Sequence, residues 1–122
     1  MIVRRLRELG EIVAIDDTRL REMFNPLHDD RSLLLGYSLA HAIVKPHSES
    51  LPHRLKTSSE TYYILQGKGE MHIDNESREV KVNDAIYVPP GSRQYISNTG
   101  TTDLVFLCIV NPPWKGEDEE LA

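Results

Sequence analysis

Short β-prone runs closed by turn residues dominate this sequence and restrict its fold more than any other feature. Eight runs are rich in Val, Ile, Leu and Tyr and are bounded by Gly, Pro, Asn or Asp, which is typical of strands joined by tight turns. These runs are GEIVAID, LLLGYSLAHAIV, TYYILQ, EMHID, EVKV, AIYVPP, QYIS and LVFLCIV. Many short antiparallel strands predict an all-β sandwich or small closed barrel, whose interior holds a small ligand or a metal.

Two local segments carry further structural signals. Residues 16–24 (DDTRLREMF) favour a short N-terminal helix, because Leu20, Met23 and Phe24 recur at helical spacing after residues that cap helices well. The DNES stretch between EMHID and EVKV predicts a tight hairpin turn, since Asn tolerates positive φ.

The length of 122 residues fits one domain with one core. Within it we expect an N-terminal strand and short helix packing on a barrel (residues 1–36), the barrel itself (37–114) and an acidic C-terminal tail (115–122). The tail, KGEDEELA, is expected to be solvated and partly disordered.

The run LVFLCIV is apolar at every position, so both of its faces should be buried. One face would pack on the core and the other on a second sheet or another subunit, and a homodimer is the simplest cover. Cys108 lies inside this run, which favours a buried thiol over a reactive one.

Charge and hydropathy exclude two classes of partner. The net charge is −5, of which the eight-residue tail carries −3, so the first 114 residues carry −2. A body without a basic footprint is an unlikely partner for nucleic acid. No stretch has the eighteen or so apolar residues of a membrane span, and the N-terminus lacks a secretory signal, so we expect a cytoplasmic protein without membrane contact.

The stretch PHRLKTSSETYYILQG has the outline of a metal site. His53, Glu60 and Gly67 have spacings that suit a cation site on a sheet, while Leu55 occupies the place where a second imidazole is expected. An imidazole and a carboxylate together suit Zn, Fe, Mn, Co or Ni.

Residues 47–98 resemble the two motifs of the cupin superfamily, G-x5-H-x-H-x(3,4)-E-x6-G and G-x5-P-x-G-x2-H-x3-N. The first motif aligns without gaps through His47, His53, Leu55, Glu60 and Gly67. The second aligns through Asn83, Pro89, Gly91, Gln94 and Asn98, and a spacer of residues 68–82 separates the two. The resemblance is to small single-domain cupins and implies an all-β double-stranded β-helix (jelly-roll) barrel.

The resemblance also implies one divalent metal ion inside the barrel, held in the family by three histidines and a glutamate. Leu55 and Gln94 replace two of these ligands here, so the implied set is His53, Glu60 and Gln94, with Gln94 ligating weakly or orienting. The two leading glycines are replaced by His47 and Asn83, residue types that are enriched at positive φ.

Strand periodicity adds candidates around this set. His41 joins the ligands if its face lines the barrel, the alternative being a core histidine with one hydrogen-bond partner. Tyr62 shares a face with Glu60 and could bind a substrate oxygen, and Leu55 would line the same pocket. Arg93 could attract an anionic substrate at the rim, the alternative being a solvated arginine.

Three functions follow from these patterns. The first is a metal-binding cupin that binds or acts on a small polar molecule such as a sugar or keto acid, for which the resemblance permits an isomerase, a dioxygenase, a decarboxylase or a non-enzymatic binder. The second is a metal-free ligand-binding or regulatory module, with His53 and Glu60 paired to each other. The third is an interaction protein that acts through its dimer surface and acidic tail. A buried carboxylate is costly without a cation or donors, and Glu60 therefore favours the first.

Overall fold

Two antiparallel β-sheets packed face to face form the protein, in agreement with the all-β prediction. The computed structural model describes all residues from Met1 to Ala122. Its strands are β1 (Ile12–Val13), β2 (Arg19–Phe24), β3 (Ser38–Val44), β4 (His53–Leu55), β5 (Ser59–Gln66), β6 (Lys68–Ile73), β7 (Glu76–Lys81), β8 (Ala85–Val88), β9 (Gln94–Asn98), β10 (Leu104–Asn111) and β11 (Glu119–Leu121).

The strand order shows a jelly-roll barrel. One sheet has the order β1-β2-β3-β10-β5-β8, and the other has the order β11-β4-β9-β6-β7. Strand β10 lies inside the first sheet, in register with β3 and β5 on its two sides. The functional site therefore lies between two sheets whose inward faces both contribute side chains.

The core consists of alternate side chains from both sheets. On β10 every second residue from Leu104 to Val110 is buried, as period-two alternation requires. Phe106 stacks on Tyr62 of β5 with ring centroids 5.0 Å apart. Eleven buried residues form the main cluster: Ala42, Val44, Tyr62, Ile64, Met71, Val80, Val88, Ile96, Leu104, Phe106 and Cys108. The prediction of a buried Cys108 thiol is confirmed.

The predicted helix over residues 16–24 is wrong. Residues 19–24 form β2, which pairs with β1 and β3, and the helical segments are 3₁₀ turns at Leu6–Glu8 and Gly116–Asp118. A register shift between Glu22 and Phe24 in the β2–β3 pairing breaks the strand alternation. This irregularity places apolar residues at a spacing that imitates a helix. None of the helical segments has the length and apolar character that crossing a bilayer requires.

The expectation of a solvated, partly disordered tail is also corrected. Residues Glu119–Leu121 form β11, which pairs with β4 at the edge of the five-stranded sheet. Asp118 is buried, and its carboxylate accepts hydrogen bonds from Thr57 N (2.9 Å), Thr57 Oγ1 (2.7 Å) and Ser58 N (3.1 Å). These donors come from a segment about sixty residues away in the chain, so the tail composition alone does not reveal them.

The turn predictions are confirmed. His47 and Asn83, which replace the leading glycines of the two motifs, have φ values of 62° and 75°. The hairpin between β6 and β7 turns at residues 74–75 as predicted, although the residue with positive φ (52°) is Asp74 and not Asn75. Gly67 has φ 83°, and a Cβ at this position would lie 2.8 Å from the Asp103 carbonyl oxygen, so this glycine is required on two grounds.

Candidate metal and ligand site

A cavity of about 50 Å³ lies between the sheets at the end of the barrel where β2, β4 and β11 meet. By this measure one water needs about 10–15 Å³, so the cavity has room for a few waters or a small ligand. Its apolar wall includes Ile12, Leu20 and Phe106. Its polar part contains Asp16, Glu22, His53, Glu60 and Glu119.

His53 is positioned by its backbone neighbours to present one ring nitrogen to a ligand. It lies on β4 opposite Gln94 of β9, and only 3% of its surface is exposed. Its Nδ1 lies 2.8 Å from the Leu51 carbonyl oxygen, which can only accept, so Nδ1 carries the proton. The lone pair is then on Nε2, and this is the arrangement usual for metal-binding histidines.

Two carboxylates lie beside His53. Asp16 is in the turn between β1 and β2, where its carbonyl oxygen accepts from Leu51 N (2.7 Å) and its Oδ1 accepts from Thr18 N (3.1 Å). Its Oδ2 lies 3.4 Å from His53 Nδ1. Glu119 begins β11 opposite Leu55 and accepts a hydrogen bond from the indole of Trp114.

Asp16, His53 and Glu119 can contribute ligand atoms that all lie within 4.8 Å of one another. The three residues come from three separate segments: a turn, the strand β4 and the C-terminal strand. Such a set of one imidazole and two carboxylates has the donor chemistry of a divalent transition-metal site.

Glu60 and Gln94 form a second polar group in the same interior. Gln94 Nε2 donates to Glu60 Oε1 at 3.0 Å, and Gln94 Oε1 accepts a short hydrogen bond from the Tyr62 hydroxyl. All three side chains are buried. The structure therefore brings Glu60, Tyr62 and Gln94 together as the sequence predicts, with both ends of the Gln94 amide already in use.

Burial and neighbouring charge raise the pKa of two carboxylates of the cavity. Burial raises the pKa of Glu60 to about 7, a positive charge on His53 opposes this increase, and the charges of Asp16 and Glu119 add to it. The pKa of Glu119 is also raised by burial, although the hydrogen bond from Trp114 opposes the increase. Burial and the nearby Glu60 raise the pKa of the Cys108 thiol, which keeps it neutral. Burial and neighbouring negative charge thus disfavour the ionised carboxylates, and a cation in the cavity would offset both effects.

The other residues predicted for the site lie outside the cavity lining. Leu55 is 3% exposed and packs on the inner face of β4. His41 lies on the outer face of β3, because Ala40 and Ala42 take the inward positions, so the condition under which it would join the ligands is not met. It is half-buried on that face and is not a core histidine either. Arg93 donates from Nε to the Ala122 carbonyl oxygen at 3.1 Å and does not reach the cavity.

Sequence reasoning missed Asp16 and Glu119. The sequence pattern places Asp16 at the start of the predicted helix and Glu119 in the predicted solvated tail, and neither lies within the two motifs. The one available signal was Trp114, an anchor close to Glu119 in sequence and the single tryptophan of the chain.

With its jelly-roll barrel and interior polar cluster, the chain belongs to the cupin domain family, whose model matches residues 40–110. It is a small single-domain member. Its relatives include an uncharacterized protein of Methanocaldococcus jannaschii, 43% identical over 109 residues that cover 89% of this chain and 85% of that protein.

Two further relatives come from Thermotoga maritima. An oxalate-binding protein is 36% identical over 58 residues, which cover 48% of each chain. A solved structure described as a predicted oxalate decarboxylase superimposes with a TM-score of 0.74 at 25% identity, covering 91% of this chain and 99% of that one.

Proposed function

We propose that this protein binds one divalent metal ion through Asp16, His53 and Glu119, and that the ion offers an open coordination position to a small polar molecule. The observation that carries the proposal is that ligand atoms of Asp16, His53 and Glu119 lie within 4.8 Å of one another. Because Nδ1 of His53 carries the proton and also faces Asp16 Oδ2 at 3.4 Å, Nε2 is the ring nitrogen that would bind the ion. Mn, Fe, Co, Ni and Zn all suit these donors. Three protein ligands leave room for water or a substrate oxygen.

The residues around the cluster fit a cation on electrostatic grounds. Two carboxylates beside a neutral imidazole supply the two negative charges that a divalent ion needs. Without the ion, burial and the charges of neighbouring carboxylates raise the pKa values of Glu60 and Glu119. When bound, the ion would supply Lewis-acid polarisation of a substrate oxygen.

In this proposal Glu60 and Gln94 have supporting roles. Gln94 uses its amide group to orient the Glu60 carboxylate, which remains able to accept a proton or a hydrogen bond from a bound molecule. Tyr62 holds Gln94 in turn. A carboxylate with a pKa near 7 is suited to proton transfer, so the same site serves a binding protein or an enzyme such as an isomerase or decarboxylase.

Relatives support the small-molecule part of the proposal. One relative is called an oxalate-binding protein, and one solved structure is described as a predicted oxalate decarboxylase. Both descriptions refer to small molecules that carry several oxygen atoms. A cavity of about 50 Å³ suits a ligand of that size.

The test is metal analysis of protein purified without chelators. We expect about one divalent ion per chain, and after chelation we expect thermal stabilisation on adding back Mn, Fe, Co, Ni or Zn. Ligand binding at a hundredfold excess over Kd stabilises by about 2.7 kcal/mol, which is several degrees for a domain of this size.

Two histidine variants complete this experiment. His53→Ala should abolish both the bound ion and the stabilisation. His72→Ala should keep both, because His72 stacks on Tyr95 on the outside of the barrel at 4.1 Å. Protein that holds no ion and gains no stability from any of the five metals would overturn the proposal and favour the metal-free module, in which the Tyr62–Gln94–Glu60 chain is already satisfied.

A further inference from the structure

The charges that line the cavity are almost all negative. Four of its sixteen lining residues are acidic, namely Asp16, Glu22, Glu60 and Glu119. The single basic residue is His53, and no lysine or arginine contributes to the lining. An anion entering this cavity would meet carboxylates on several sides and no fixed positive charge.

The arginines on the surrounding strands pair with other groups. Arg19 and Arg21 of β2 both pair with Glu11, at 3.6 Å and 3.8 Å. Arg54 of β4 lies 3.8 Å from Glu120, and Arg93 donates to the last carbonyl of the chain. None of these guanidinium groups is available to pair with an anionic ligand inside the barrel.

A bound divalent ion would not make the net charge of the cavity positive. Asp16 and Glu119 together neutralise its two positive charges, and His53 adds none while Nδ1 alone holds its proton. Glu22 and Glu60 remain in the lining as further acidic groups. The loaded cavity is therefore neutral or negative, and in a buried site such charges are weakly screened.

The polar groups that remain suit a ligand that donates hydrogen bonds. Carboxylate oxygens can only accept, so a hydroxyl or amide N–H of the ligand finds a partner at Glu60. The two oxygens of Glu22 already bond to His28 (2.7 Å) and Asn25 (3.1 Å), so Glu22 contributes its charge to the lining and not a free acceptor. A carbonyl or hydroxyl oxygen of the same ligand can complete the coordination of the metal. The wall of Ile12, Leu20 and Phe106 favours a compact molecule with some apolar surface.

We propose that the organic ligand of this cavity is a small uncharged molecule with hydroxyl or amide groups, and that the cavity discriminates against oxalate-like anions. This inference rests on the proposed function for the site, but it concerns the charge of the ligand and not the presence of the metal. It separates this chain from the oxalate-related proteins that it resembles in fold.

The test compares oxalate, oxamate and oxamide, which have nearly the same shape and are a dianion, a monoanion and an uncharged molecule. Affinities are measured at pH 8 on metal-loaded protein by the fluorescence of Trp114, which lines the cavity, with calorimetry as a second readout. We expect oxamide to bind, and the affinity to fall about tenfold for each added negative charge. Equal affinities, the reverse order or binding of none of the three would overturn the inference.

The metal content of the same samples keeps this inference separate from the proposed function. Protein that holds the ion but prefers oxalate would overturn the charge inference alone. Protein that holds no ion would overturn the proposed function. The affinity order is then measured on the metal-free chain, where the four carboxylates still predict the preference for oxamide.

Two variants that each remove one negative charge, one inside the cavity and one on the surface, provide a further test. Glu60→Gln keeps the shape of the side chain and removes a negative charge from the cavity, so the ratio of oxamide to oxalate affinity should fall about fivefold or more. Glu49→Gln removes the same charge from the surface, where Glu49 bonds to Ser97 at 2.8 Å, and should leave the ratio unchanged. Thermal melts of both variants verify that they are folded. The same ratio in both variants would overturn the inference.

Discussion

At the scale of single residues, Gln94 explains how the barrel keeps a polar interior where the family has a histidine ligand. Its amide bridges the Tyr62 hydroxyl and the Glu60 carboxylate, so both of its ends are satisfied. A buried polar group that is fully hydrogen-bonded costs little, whereas a lone glutamate at position 60 would be strongly destabilising. In the proposed function, position 94 therefore supports Glu60 and is not a ligand, and the donors for the ion come from Asp16, His53 and Glu119.

Isosteric amide variants distinguish this donor set from the one that the motif predicts. Asp16→Asn and Glu119→Gln should each weaken metal binding by about a hundredfold or more, because each removes a charged ligand. Glu60→Gln should weaken it by less than about tenfold, since Glu60 acts only through the field of its charge. Metal affinities are measured by competition with a chromophoric chelator.

Glu60→Gln also serves as the packing control, because it keeps the acceptor for Gln94 Nε2. If this variant alone lost the ion while the Asp16 and Glu119 variants retained it, the ligand set would be that of the motif, His53 with Glu60. The Asp16–His53–Glu119 cluster would then have no role in metal binding.

At the scale of elements, the C-terminal strand is part of the site and not an appendage. Asp118 is held by three hydrogen bonds from Thr57 and Ser58, and these outweigh its burial and lower its pKa. The next residue, Glu119, is thereby placed beside His53. Ala122 N completes the attachment by donating to the Pro52 carbonyl oxygen at 3.0 Å.

Release of this strand should therefore impair metal binding without unfolding the barrel. Asp118→Ala removes the acceptor of all three hydrogen bonds, and we expect metal affinity to fall about tenfold and the Trp114 emission to change. The loss of unfolding free energy should be about 1–3 kcal/mol, the usual cost of unsatisfied buried donors. The readouts are chelator competition, fluorescence and urea unfolding.

Glu117→Ala is the matched control for this variant, because Glu117 is exposed in the same turn and should tolerate the change. Unchanged metal affinity in Asp118→Ala would show that Glu119 reaches the cavity without this anchor, or does not bind the ion at all.

The strands show most clearly which parts of the fold could be predicted from the sequence and which could not. Strands β1, β3 and β5 to β10 could be read from the sequence because their runs follow local β-propensity and end at turn residues, and His47 and Asn83 adopt the positive φ that their motif positions require. Strand β4 (His53–Leu55) could not, because its three residues form no β-prone run. Strand β2 could not, since the irregular register near Glu22 arises from pairing with β3. Strand β11 could not either, because its anchor donors lie near residue 57, far away in the chain.

The same reasoning separates the two halves of the site. Glu60, Tyr62 and Gln94 lie on strands whose alternation is visible in the sequence, and the structure brings these three together. Asp16 and Glu119 come from a turn and a terminal strand, whose positions depend on tertiary hydrogen bonds such as Leu51 N to the Asp16 carbonyl. Short-range patterns carry no information on such contacts.

At the scale of the whole molecule, the part of the six-stranded sheet's outer face that β10 and β5 form is largely apolar. Val105, Leu107 and Ile109 point outward from β10 and are half-buried within one chain. On the adjacent β5, Tyr63 and Leu65 keep 37% and 42% of their surface exposed. Contiguous apolar surface of this kind marks an interaction site, and a second copy of the chain is the partner that the sequence predicts.

We therefore expect a homodimer, and Leu107→Lys to convert it into a monomer. Leu107 lies at the centre of the apolar face between His41 of β3 and Tyr63 of β5, so a lysine there would place a charge in the middle of the interface. Light scattering coupled to size exclusion at micromolar concentration gives the mass. Tyr95→Lys, on the outer face of the other sheet, should remain dimeric. A monomeric native chain would overturn the prediction of a dimer. A dimer that survives Leu107→Lys and is lost in Tyr95→Lys would place the interface on the other sheet.

Because the cavity lies on the opposite side of β10 from Leu107, the monomeric variant should keep its bound metal. The oligomeric state and the site can therefore be tested independently.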